Sequence, residues 1–199
     1  GDDAAVVPAG DGRDWLLTSD AVVEGVHFLS DDCRQAVGHK AVGRALSDLA
    51  AMGTEKPLWL LLNLMAPGDL LVEEMDDLLA GVTKMAGRHG LYLAGGDTTE
   101  ADKVSLHVFA VGEVPAGTAV LRSGARPGDV LFITGTLGGS SAGHHLQFVP
   151  RIAEGRWLRA GSWATAMIDV SDGLATDLHR LLAQSMAGAV LELDRIPIS

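Results

Sequence analysis

Basic residues are scarce in this sequence and form no stripe. Lys and Arg number 15 against 26 Asp and Glu, a formal net charge of −11. Nucleic acid and anionic membrane surfaces are excluded as partners on that ground, since both require a basic footprint. Cysteine is nearly absent: Cys33 stands alone, so no disulfide can form within the chain, and a reducing, cytoplasmic setting is expected. The longest apolar stretch, Leu58–Met65, is far short of the ~20 residues that span a bilayer. No secretory leader is visible, and because Gly1 lies inside a motif a preceding segment is expected. Internal repeats and low-complexity tracts are missing. Also missing is metal-ligand spacing among His39, His89, His107, His144, His145 and His179, which read as surface or packing residues.

What the sequence does hold is apolar residues, glycine and aspartate. At 199 residues and 47% apolar, the chain supports one large or two small domains. Its 25 glycines flank aspartates rather than forming a tract. Gly1–Val7 reads as a turn entering a short strand, and Trp15–Asp20 as a second strand paired with it. Helical spacing over 35–52 puts Val37, Ala41, Ala45, Leu49 and Met52 on one stripe, with Gly53 as the stop. Trp59–Met65 is a strand, and Pro67-Gly68-Asp69 opens a helix reaching about Arg88. Leu91–Ala94 is a strand ending at Gly95-Gly96-Asp97, and Val104–Glu113 is another. The order β-β-α-β-α-β-β predicts an α+β fold, with helices layered on a mostly antiparallel sheet. A composition shift at Pro115–Gly128 divides residues 1–114 from 115–199. In the second part the sequence predicts strands at Val130–Thr134, Ala166–Val170 and Val190–Leu193, a helix from Asp172 to about Ser185, and an irregular polar stretch over 150–161.

The chemistry is carried by aspartates at element ends: Asp2-Asp3, Asp20 after Thr18-Ser19, Asp48, Asp97, and Asp169 with Asp172. Each has a plain structural reading; Asp172 could cap its helix, and Asp97 could make an Asx-turn with Thr98. Together they read differently. Carboxylates gathered at one place repel unless cations lie between them, and Mg²⁺ takes about six oxygen ligands from carboxylates, waters and phosphates. Asp48 near a helix C-terminus opposes the macrodipole by about 0.3–1 kcal/mol, so a neighbouring cation is expected. Arg122, in the one basic island, is either a solvated loop charge or a planar fork for a phosphate. The glycine-rich loop Gly135–Ser141 suits phosphate binding or a structural turn, but it has no Walker A lysine. No nucleophile–base pair is evident.

These residues fall into motifs that resemble the thiamine-monophosphate kinase family, within the superfamily that includes aminoimidazole ribonucleotide synthetase and selenophosphate synthetase. The motifs are GDDAAV (1–6), TSDAVVEGVHF (18–28), LSDLAAMG (46–53), LAGGDTT (93–99), RSGARPGD (122–129) and IDVSDGLATDL (168–178). The resemblance implies two α+β domains, the first pairing its sheet with that of a second subunit as a barrel, hence a homodimer. It implies ATP as co-substrate, several Mg²⁺ ions, and transfer of the γ-phosphoryl group to thiamine monophosphate. By position it assigns Asp3, Thr18, Ser19, Asp20, Asp48, Asp97, Asp169 and Asp172 to metal, and Gly96, Asp97, Arg122 and Ser171 to ATP. It assigns His27 to the thiamine phosphate, and Asp20, Asp48, Asp97 and Asp169 to catalysis. Leu79 or a neighbour stands where an aromatic residue often lies near adenine. The run His145–Arg151 is shorter than the family's, which implies a loop missing at about 147/148. Two rivals remain open: another ATP-using enzyme of the superfamily, and a metal- or nucleotide-binding module without catalysis.

Overall fold

The computed structural model describes residues 1–199. Strands β1 (Ala5–Pro8), β2 (Arg13–Val23), β3 (Lys56–Ala66), β4 (Tyr92–Glu100) and β5 (Ser105–Pro115) form one sheet in the order β1-β2-β5-β3-β4. All neighbours are antiparallel except β3 and β4. That parallel pair is joined through helix α2 (Val72–Arg88), because parallel strands need a crossover. Helix α1 (Arg34–Ala51) connects β2 to β3. The order of elements is the one the sequence predicts, and the fold is α+β.

Alternation along the strands explains the layers. Leu16 and Val22 on β2, Leu60, Leu62 and Leu64 on β3, and Leu106, Val108 and Ala110 on β5 are buried. They meet Val37, Ala41, Leu46 and Leu49 of α1 and Leu78, Val82 and Met85 of α2 in one core. Each fully buried leucine contributes about 2–3 kcal/mol of burial free energy. The helices press together at glycines. A Cβ on Gly38 would lie 2.1 Å from the Leu78 carbonyl oxygen, and one on Gly81 the same 2.1 Å from that of Gln35. The opposite sheet face leaves Trp15, Trp59, Leu61 and Phe109 exposed.

Beyond Pro115 the structure departs from expectation. The stretch over 150–161 is not irregular: it holds helix α4 (Ile152–Ala160), whose Gly155 fits against the Ala50 carbonyl of α1. The short helix α3 (His144–Gln147) follows a 3-10 turn at Ser140–Ala142, and α5 spans Leu174–Ser185. The strands expected at 130–134, 166–170 and 190–193 do not form. A strand exists only through a partner's hydrogen bonds, and no edge is offered to these segments; Val130 and Phe132 stay exposed. Pairing occurs instead at one bridge, where Leu137 meets Ile198. β4 also runs past Ala94 to Glu100, because its parallel ladder with β3 supplies hydrogen bonds through the glycines and threonines. At Gly96 a Cβ would lie 1.7 Å from the Leu62 carbonyl oxygen, so only glycine fits there.

Candidate functional site

Three carboxylates far apart in sequence converge. Oxygens of Asp3, Asp48 and Asp169 all lie within 4.8 Å of one another. Asp3 precedes β1, Asp48 sits in the last turns of α1, and Asp169 lies on the extended segment before α5. Hydroxyl groups hold the outer oxygens: Thr18 on β2 donates to Asp48 at 2.5 Å, and Ser47 on α1 donates to Asp169 at 3.0 Å. Burial pushes the Asp48 carboxyl up to about 8, with Asp20, Asp169 and Asp3 adding repulsion against the Thr18 bond. Burial, and then Asp3, push Asp169 up to about 7. An all-oxygen set of carboxylates and hydroxyls, half-buried and mutually repelling, fits a hard divalent cation such as Mg²⁺.

Arg122 borders the cluster. Its fork donates to both oxygens of Asp3, at 2.5 and 3.2 Å, and to the Gly1 carbonyl at 3.1 Å. Its main-chain N–H donates to Asp2 at 2.7 Å. The hydrogen bond to Asp3 is the main reason its pKa stands above the usual arginine value.

The other expected ligands are not brought into the trio. Asp20 pairs with Arg44 of α1 at 3.0 Å. Asp172 pairs with Arg180 at 2.6 Å and does not cap α5, whose N-cap is Gly173. Alternation along β2 buries Thr18 and exposes Ser19, placing the two side chains on opposite faces of the sheet. Asp97 is exposed on β4, and its carboxylate accepts from the Thr98 N–H at 2.9 Å. Asp97 and Gly96 instead line a cleft of about 480 Å³, together with Leu62, Leu64, Leu79 and Leu93. Another cleft of about 430 Å³ lies between Glu55–Pro57 and α4, and none of the candidate aspartates lines it.

His27 lies in the tight turn after β2. The Val23 N–H donates to its Nδ1 at 3.1 Å, so Nε2 carries the proton of the neutral ring. Burial, then Arg44 and Lys40, hold the imidazole below its ordinary value. Ser171 is placed by Asp177, which is 1% exposed and accepts the N–H groups of Ser171 and Asp172 at 3.0 and 2.8 Å. Sequence reasoning passed over Asp177, Ser47, Arg44, Arg180 and Lys40. Lys40 had a signal: it stands three residues after Val37, on the buried stripe of α1.

Comparisons with known proteins point to one family. The family described as "AIR synthase related protein, N-terminal domain" matches residues 1–114. A thiamine-monophosphate kinase of Buchnera aphidicola subsp. Acyrthosiphon pisum is 35% identical over 220 residues, covering 100% of this chain and 67% of that protein. The thiamine-monophosphate kinase structure from Stenotrophomonas maltophilia K279a superposes with a TM-score of 0.88 at 34% identity, over 100% of this chain and 69% of that one. AaThiL complexed with AMPPCP and TMP superposes with a TM-score of 0.87 at 34% identity, over 93% of this chain and 64% of that one. The chain thus spans about two thirds of the length of the relatives it matches.

Proposed function

Because this chain belongs to the thiamine-monophosphate kinase family, we propose that it carries the nucleotide and metal site of an enzyme that phosphorylates thiamine monophosphate. ATP would be the donor, and thiamine diphosphate and ADP the products. The observation that carries this reading is the convergence of Asp3, Asp48 and Asp169 within 4.8 Å. The AMPPCP and TMP bound by the related AaThiL support the choice of reactants. We divide the chain into a nucleotide-binding part, 1–114, and the first part of a second domain, 115–199.

Asp3, Asp48 and Asp169 would hold a Mg²⁺ ion, with Thr18, Ser19, Asp20, Asp97 and Asp172 assigned to further ions as the family's motifs imply. Bound there, such ions would neutralise charge on the transferring phosphoryl group and its leaving oxygen. The chain's own groups do the positioning. Thr18 and Ser47 fix two of the carboxylates. Arg122 holds Asp3 and would offer its guanidinium to a phosphate of the nucleotide, and Gly96 and Asp97 border the cleft assigned to the nucleotide, where Leu79 would replace an aromatic contact to adenine. Ser171 lies at the tip of the segment after Asp169, its main chain set by Asp177. His27, its Nδ1 engaged by the Val23 N–H, would offer its Nε2–H to the acceptor phosphate. That acceptor is already ionised at neutral pH, so no general base is required, and catalysis is positioning with electrostatic stabilisation. Asp20, Asp48, Asp97 and Asp169 are the residues we assign to it.

The proposed setting is the cytoplasm, where Cys33 stays reduced; no helix is long and apolar enough to cross a membrane. A homodimer formed through the exposed sheet face is part of the proposal. The test is to incubate the full-length protein with ATP, Mg²⁺ and thiamine monophosphate and to assay thiamine diphosphate. Product that disappears on chelation and in Asp48→Asn is the expected result. ATP binding that depends on Asp48, without product, would assign the site to another reaction of the superfamily.

A further inference from the structure

Lys40 is a cation where the fold has no evident need for one. It lies in the core-facing part of α1, is 8% exposed, and makes no ion pair with any carboxylate. A buried ammonium without a counter-charge is a cost that an apolar side chain of the same length would avoid. Its Nζ donates to the main-chain carbonyl of His27 and to Nδ1 of His145, the latter at 2.7 Å. Since the ammonium can only donate, His145 accepts through Nδ1 and is neutral.

The turn that receives this bond is otherwise closed on itself. The Val26 and His27 N–H groups both donate to the Val23 carbonyl, and Gly25 N–H donates to the Phe28 carbonyl. Phe28 is buried at one end. Gly25 takes φ +78°, a left-handed turn that favours glycine. The Val23 N–H fixes the ring of His27 through Nδ1. The His27 carbonyl takes no part in these bonds, and Lys40 donates to it from α1. On its other side Lys40 ties in His145 of α3, the helix that follows the glycine-rich loop. Phe148, just after α3, packs its ring on Gly43, and its carbonyl meets His39 Nε2 at 2.8 Å. One turn of α1 therefore grips both segments.

We infer that Lys40 is a positioning residue for the phosphate acceptor: it fixes the His27 turn from beneath, so that the Nε2–H of His27 stays aimed at the acceptor, and it locks α3 to that turn. The inference rests on the reading of His27 as the group that meets the acceptor phosphate. It assigns Lys40 no contact with substrate.

The test uses the full-length protein with Lys40→Met, which keeps the stem and removes the donors, and Lys40→Gln, which keeps a donor without the charge. Expected for Lys40→Met is a KM for thiamine monophosphate raised about tenfold, an unchanged KM for ATP and an undiminished Tm. Lys40→Gln should recover part of the acceptor KM. In parallel, the ring ¹⁵N shifts of His27, read above its titration range, should report one tautomer in the parent and a mixture in Lys40→Met. An equal rise in both KM values with a lowered Tm would make Lys40 merely structural and overturn the inference. A raised acceptor KM with an unchanged His27 tautomer would overturn it too, by placing Lys40 on the substrate itself. Should the parent protein make no thiamine diphosphate, the functional reading fails separately, and the His27 tautomer alone then decides whether Lys40 sets the turn.

Discussion

Asp48 is a residue whose protonation couples the site to stability. Burial raises its folded pKa to about 8 and that of Asp169 to about 7, whereas both titrate near ~4 when unfolded. Between those values the folded chain binds more protons than the unfolded one, so stability falls as pH rises. Their contribution is complete below about pH 4 and lost above about pH 8. In the presence of a chelator, Tm is expected to fall between about pH 4 and about pH 8, and Asp48→Asn should raise Tm at the alkaline end and flatten the profile. Millimolar Mg²⁺ should restore Tm most where the carboxylates are ionised, and that increment should vanish in Asp48→Asn. A Tm that rises with pH in chelator would contradict the buried cluster. Asp177 gives a second case. Removing its carboxylate in Asp177→Ala frees the N–H groups of two exposed residues, Ser171 and Asp172, to turn to water, at about 0.5–1.5 kcal/mol for each hydrogen bond lost, measurable by urea denaturation, with weakened ATP binding beside it. The parts of this site legible in sequence were the aspartates at element ends next to hydroxyl residues, and Arg122 in its basic island. Pairing preferences were not: that Arg44 takes Asp20 and Arg180 takes Asp172 depends on where helices lie in space. Asp177 escaped because burial of a charged side chain is a tertiary property, whereas Lys40 was legible from its place on the buried stripe of α1.

At the level of the element, the contact between α1 and α2 sets a limit that helix propensity alone would miss. Gly81→Ala gains about 1 kcal/mol of propensity, yet its Cβ would stand 2.1 Å from the Gln35 carbonyl. The obstacle is main chain, so no rotamer relieves it, and overpacking costs typically ~1–3 kcal/mol. Gly81→Ala is therefore expected to lower Tm, while Gly87→Ala, which meets nothing within 4 Å, should raise it slightly; differential scanning calorimetry of both compares the two terms directly. The elements legible in sequence were those with strong internal periodicity: α1 and α2 from their apolar stripes, and β2, β3 and β5 from apolar runs that stay within one sheet. The failures lie where the signal is not local. α4 is only nine residues long, and Gly155 lets it approach α1. Val130–Thr134 and Ala166–Val170 have strand composition, but an apolar run cannot specify a partner edge.

On the scale of the whole molecule, one face of the sheet is at odds with a net charge of −11. Trp15, Trp59, Leu61 and Phe109 are 37–44% exposed, with Leu61 directly opposite Phe109 across the β3–β5 ladder and the two tryptophans in edge contact at 6.2 Å. Contiguous apolar surface in an otherwise acidic molecule marks an interaction face. A second copy suits it, because a two-fold axis brings the same apolar patch against itself while keeping the acidic surfaces in solvent. The proposed homodimer therefore predicts that the full-length protein sediments as a dimer. The double substitution Leu61→Arg and Phe109→Arg should convert it to a monomer with an unchanged circular dichroism spectrum, because both side chains lie outside the helix-covered core. A parent protein that sediments as a monomer would remove the dimer from the proposal. A double variant that still dimerises would move the interface off the sheet, leaving these aromatics to be covered by other parts of the protein.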